Sequence, residues 1–363
     1  MANKAPNSPD PGPQTPKPDP PAPLFPPGVT VEILSRLPIK DAARLQLVSK
    51  HWQSLIQNHY FMNRHMAHTR FTYHWFNIQP TQAQAQTARE TYLLTAGLDG
   101  LLILKNTTKN IHYLWNPATK RALELPSPHE GSYGLSLAFV RATQSYRVVS
   151  FYLDPKTGFD GCEILTPGLP GPWKPLNVPG ALRKRERISV IVSGEAVHCV
   201  FFNRARPETL ISLNLETEKF SISCFGKLGR PDTRWRNYWD MDWAGKLAIA
   251  DVVGPNLEVM ELTDYERGIW CREKRIVGLP FFKEGNNDEF VPLFAREGKI
   301  WFWMKGSKIF TYDMETGEMK DVREAPNLAA STKVYPYKPS LIGFQGMVPD
   351  TMLERYRARL MLC

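Results

Sequence analysis

Cysteine is scarce in this 363-residue chain: Cys162, Cys199, Cys224, Cys271 and Cys363 are widely separated and odd in number. No two stand at metal-ligand spacing, so neither a disulfide framework nor a thiolate zinc site is expected. The thiols read as the reduced ones of a cytoplasmic or nuclear protein. The start of the chain lacks an apolar signal core, and no run approaches the roughly 18 apolar residues that a membrane span requires. Histidine is sparse as well, with eight residues in all. A glycine-rich phosphate loop, a GxSxG elbow and an HExxH helix are absent. His65 and His68 have no acidic or cysteine partner nearby and read as solvated side chains. His198 and Cys199 are neighbours in a strand pattern, which points them to opposite faces. No enzyme, cofactor or metal is therefore expected. Charge of one sign does not dominate either: 45 Lys and Arg against 36 Asp and Glu leave +9, spread along the chain. That permits an acidic partner without indicating nucleic acid.

What is present changes character twice. Residues 1–23 hold nine prolines and almost nothing apolar, so they read as an extended, disordered tail. Residues 24–70 are helical in period. Val29, Ile33 and Leu37 recur every four residues along one helix face, and Pro38 ends that helix. Asp41 is the expected N-cap of a second helix of about four to five turns, carrying Leu45, Val48, Trp52 and Leu55 as an apolar stripe. These helices are too short to bury both faces, so the stripe needs cover from elsewhere.

Residues 90–346 read as many short strands, among them Leu101–Leu104, Tyr146–Phe151, Ile188–Val192, Leu247–Val253 and Ile300–Trp303. Two markers repeat through them. Asn116, Asp154, Asn214, Asp264 and Asp313 each open a turn, with starts differing by 38, 60, 50 and 49 residues. Gly100, Gly194, Gly245 and Gly298, with Ser145 as a weaker copy, each precede an apolar strand, at steps of 45, 49, 51 and 53. A shared period near 50 matches four-stranded propeller blades, about five or six of them; evenly spaced sandwich hairpins are the alternative. The segment Pro339–Gly343 is placed to close the ring on the first unit. Residues 349–363 read as a basic C-terminal helix with Asp350 as its cap.

Other stretches have plain structural explanations. The basic run Arg183–Arg187 lies between strand patterns, as a solvated loop does. The aromatic run Trp235–Trp243 offers Trp235, Arg236, Tyr238 and Trp239 as a target-binding set, against a role in a blade core.

The stretch Phe25–Ile56 closely resembles the F-box motif of plant F-box proteins, above all in Glu32–Pro38, Arg44, Val48–Lys50, Trp52 and Ser54–Ile56. Gly100–Leu104, Leu114–Arg121 with Leu125–Pro126, Tyr146–Val149 and Glu216–Phe220 resemble pieces of the plant F-box-associated domain. The resemblance implies a substrate receptor of an SCF-type (Skp1–cullin–F-box) ubiquitin ligase, without catalytic residues of its own. A Skp1-like adaptor, and through it a cullin, is the implied partner at the helices; the β domain holds an unknown target protein. Carried over by position, the adaptor-facing set is Pro26, Val29, Ile33, Leu34, Leu37, Pro38, Leu45, Val48 and Trp52. Pro27 and Gly28 depart from the usual acidic pair, Asp41 from Ser and Ala43 from Leu. A binding scaffold working outside any ligase is the alternative.

Overall fold

The computed structural model of the chain describes residues 26–68, 92–158, 160–179, 187–203, 206–225, 238–281, 290–304, 308–324, 335 and 337–350. The proline-rich stretch 1–23, the basic residues 183–186, Trp235 and Arg236, and residues 351–363 of the helix expected over 349–363 lie outside the described residues; Pro349 itself belongs to a strand, Val348–Pro349.

Four short helices come first: α1 (Pro27–Leu34), α2 (Ile39–Leu45), α3 (Lys50–Ile56) and α4 (His59–His68). Their boundaries correct the sequence expectation in three places. α1 stops at Leu34 instead of reaching Leu37; Ser35 closes it, with its Oγ donating 3.1 Å to the Glu32 carbonyl. Pro38, extended at φ −55° and ψ 142°, takes the N-cap position of α2, and Asp41 falls inside the first turn. The long helix expected from Asp41 is broken at residues 46–49. Ser49 is extended there and its Oγ accepts a 3.2 Å hydrogen bond from the Trp52 N–H. A serine gains more by capping a new helix than by sitting within an old one, and the break turns Val48 out of the stripe.

The β domain holds five units among the described residues, each a four-stranded antiparallel sheet in sequence order. The first is β1 (Tyr92–Leu98), β2 (Leu101–Asn106), β3 (Ile111–Asn116) and β4 (Arg121–Leu125). The second is β5 (Ser132–Val140), β6 (Ser145–Leu153), β7 (Asp160–Leu165) and β8 (Lys174–Leu176). The third is β9 (Arg187–Ser193), β10 (Ala196–Asn203), β11 (Arg206–Asn214) and β12 (Lys219–Cys224). The fourth is β13 (Tyr238–Trp243), β14 (Lys246–Val253), β15 (Asn256–Asp264) and a divided outer strand, β16 (Ile269–Trp270) and β17 (Arg275–Gly278). The fifth is β18 (Phe290–Arg296), β19 (Lys299–Met304), β20 (Lys308–Asp313) and β21 (Met319–Glu324). A last strand, β22 (Val348–Pro349), pairs with β4.

These are propeller blades and not the halves of a sandwich, because the first strands of successive units lie side by side: β1 against β5, β5 against β9, β9 against β13, and β13 in a short parallel pair with β18. Apolar cores fill the wedges between blades. One joins Val149, Phe151 and Cys162 to Val197, Phe201 and Leu213; another sets Phe281 among Phe290, Phe302, Phe310 and Tyr312 at centroid distances of 5.3 to 5.6 Å.

Polar bonds link the first hairpins around one end of the ring. Tyr146 donates to Asp99 (3.0 Å), Arg141 approaches Glu195 (3.7 Å), Ser193 donates to the Gly245 carbonyl (2.9 Å) and Arg296 donates to Asp242 (2.8 Å).

Both sequence markers are turns with a physical cause. The glycine marker is the first hairpin of every blade: Gly100, Gly194, Gly245 and Gly298 have φ of +61° to +87°, and in blade two Gln144, before Ser145, takes that conformation. The Asx marker joins the third and fourth strands in four blades. In each, one side-chain oxygen accepts the N–H groups two and three residues on: Asn116, Asn214, Asp264 and Asp313 all do so at 2.9 to 3.3 Å. Asp154 is out of phase. It caps the turn between the second and third strands of blade two, as Asn106 does in blade one, which explains the uneven steps of 38 and 60.

Candidate functional site

The helical bundle has an inward and an outward side. Val31, Leu34, Ala42, Ile56, Phe61 and Met62 are buried in one apolar cluster with Leu101, Ile103, Leu137 and Tyr146 of blades one and two. Leu37, Ile39, Leu45, Trp52 and Leu55 pack against the same cluster and are half-buried. His65, expected in water, is buried instead: its Nε2 lies 3.0 Å from the Leu37 carbonyl, and burial lowers its pKa. It ties α4 to the turn after α1.

The outward side keeps apolar groups in water. Val29 is 44% exposed and Ile33 50%, one turn apart on α1; Leu47 and Val48, in the break between α2 and α3, are 89% and 63% exposed. Pro26 and Pro38 are exposed as well. Burying each such aliphatic side chain against a partner is worth about 1.5–3 kcal/mol. Of the nine residues expected to face an adaptor, Pro26, Val29, Ile33, Pro38 and Val48 are exposed, Leu37, Leu45 and Trp52 are half-buried against the chain's own cluster, and Leu34 is buried. At 6% exposure it belongs to the chain's own core, because α1 turns Val31 and Leu34 inward and Val29 and Ile33 outward. Leu47 was missed, since an unbroken helix sets it off the stripe; the Ser49 cap signal, followed to its consequence, reveals it.

Charge borders these groups. Glu32 accepts from Arg36 (2.6 Å) and Arg64 (2.9 Å), joining α1 to α4, and these two hydrogen bonds hold its carboxyl at about 2. His68 Nε2 stands 3.6 Å from the same carboxylate. A groove of about 610 Å³ beside the break is lined by Lys50, Gln53, Ser54, Gln57 and Asn58. No His, Cys, Asp and Glu group that could hold a metal occurs among the described residues.

On the β domain, Tyr238 and Trp239 are half-buried on β13, each against a different inter-blade core, while Met241 and Trp243 are core. Their partners in the expected target set, Trp235 and Arg236, lie outside the described residues. The F-box-like helices occupy the first-hairpin end of blades one and two: Asn63 on α4 donates 3.1 Å to Gln144 there.

Two protein families match the chain. The F-box domain family matches residues 23–64, and the F-box associated beta propeller domain family matches residues 51–334. Two Arabidopsis thaliana chains named as F-box proteins, At3g52320 and At3g10240, are 23% and 22% identical to this one. The first alignment covers 85% of this chain and 90% of the relative, the second 78% and 80%. Among solved structures, the six-bladed β-propeller lectin of Aleuria aurantia aligns with a TM-score of 0.38 at 9% identity, over 66% of this chain and 80% of the lectin.

Proposed function

The chain belongs to the F-box-associated β-propeller family, and from that premise we propose that it is the substrate-recognition subunit of an SCF-type ubiquitin ligase. The F-box helices dock on a Skp1-like adaptor and, through it, a cullin, while the propeller holds a target protein. The chain needs no catalytic group for this. It brings a target lysine near a ubiquitin-charged enzyme held elsewhere in the assembly, and tethering raises their effective concentration. Such an assembly works in the cytoplasm or nucleus.

The observation that carries the reading is the solvent exposure of Val29, Ile33 and Val48 on helices whose other side is packed on the propeller. Aliphatic side chains left in water at family-matched positions are what an adaptor would cover. Leu47 joins the proposed contact set, and Leu34 leaves it. The test is co-purification with a recombinant Skp1-like adaptor. Wild type binds; Ile33→Asp combined with Val48→Asp weakens binding at least about 100-fold, two lost anchors of a hot spot, and leaves the melting temperature in place because both side chains are exposed. Equal binding by both proteins, or by neither, removes the adaptor assignment. Binding without any effect of the F-box on target lifetime would leave a scaffold.

A further inference from the structure

After blade five the chain does not simply end. Residues 337–347 run without regular structure across blade one, and β22 then joins that blade's outer edge. Three bodies meet on this segment. Blade one grips its backbone. The buried Asn116, whose Oδ1 caps its own turn, donates through Nδ2 to the carbonyls of Ser340 (3.0 Å) and Ile342 (2.8 Å), and Arg121 donates to the Met347 carbonyl (2.6 Å). Gly100, already required by its positive φ, also leaves room for the segment: an added carbon would collide with the Lys338 carbonyl oxygen. Blade two meets it through Tyr146, edge-on to Phe344 with centroids 5.8 Å apart, and through Gly168, whose added carbon would lie 3.0 Å from Phe344 Cβ. The helical bundle shares an apolar cluster with it, in which Leu341, Ile342 and Met347 are buried as are Val31, Leu34, Ile56, Phe61 and Met62.

We propose that residues 337–349 are a strut that fixes the F-box helices on the propeller. The angle between adaptor and target is then built into the fold by a segment held on blade one. Backbone bonds to a buried asparagine set the strut's place, and its three apolar side chains fill the space between helices and blades, which close packing makes stiff. Its consequence for ubiquitin transfer rests on the receptor reading above; the strut itself does not.

Hydrogen exchange on the full chain tests it. Ile342→Ala combined with Met347→Ala is expected to speed amide exchange in α4 about ten-fold while β10 and β14 keep their protection, as a local opening does. Arg121→Ala, a change at an exposed side chain, is expected to speed α4 about three-fold. Unchanged α4 exchange in both variants overturns the proposal. If the double variant loosens β10 and β14 as much as α4, Arg121→Ala decides: selective acceleration of α4 supports the strut, and none overturns it. The same proteins are tested on the Skp1-like adaptor. Failure of wild type to bind it removes the receptor reading, whereas the exchange result still decides the strut.

Discussion

At the scale of single residues, burial reverses what composition suggests about histidine. His112 on β3 and His198 on β10 are buried, and loss of water holds both rings down at about 4. His65 is shifted the same way for the same reason. A base depressed on folding binds its proton first in the unfolded chain, so stability is full above the ordinary histidine value and is lost as pH falls below it. Asp99 and Glu163, whose carboxyls burial pushes up, act in the opposite direction, upward from the ordinary carboxylate value. The Nδ1 of His112 is buried without a hydrogen-bond partner, so His112→Leu removes a titrating group at little cost in bonding. Urea melts of wild type and variant at pH 7 and pH 5 measure the effect. The loss between the two pH values is expected to shrink by about 2 kcal/mol in His112→Leu, at about 1.4 kcal/mol per unit below 6.5; an undiminished loss means that His112 does not titrate as described. Nothing in the sequence marks these rings as buried, because a histidine on a strand looks the same in either environment.

At the scale of elements, the strands were legible and the helix break was half legible. Short β-branched and aromatic runs between turn residues announce strands, and Asx and Gly turns recur because local hydrogen bonding and positive φ need those residues. The phase of Asp154 was not legible: an Asx turn has the same sequence signature whether it joins strands two and three or three and four. In the helical part, spacing alone suggested one long helix, whereas Ser49 starts a new one. Ser49→Ala is expected to destabilise the chain by about 1 kcal/mol through the lost cap, measured by denaturant unfolding. Because the same cap turns Leu47 and Val48 outward, adaptor binding should weaken in parallel. A variant with unchanged stability and binding would show that the break does not depend on the cap.

At the scale of the whole molecule, helices and propeller share one apolar cluster and one strut, so they are expected to unfold together. Scanning calorimetry of the full chain should give one transition whose calorimetric and van't Hoff enthalpies agree; two separated transitions would mean that the bundle rides on the propeller without sharing its stability. The sequence by itself determined the helical period of the F-box segment, the repeat near 50 residues and thus a set of blades, since periodicity and turn chemistry act over a few neighbouring residues. Only the tertiary structure decided which side of each helix meets water. Leu34 and Ile33 are adjacent and equally apolar, and what separates them is the presence of blades one and two on one side and nothing on the other. It decided as well that residues 340–342 lie on blade one, because the contacts of Asn116 with Ser340 and Ile342 join positions over 200 residues apart, beyond the reach of any local pattern.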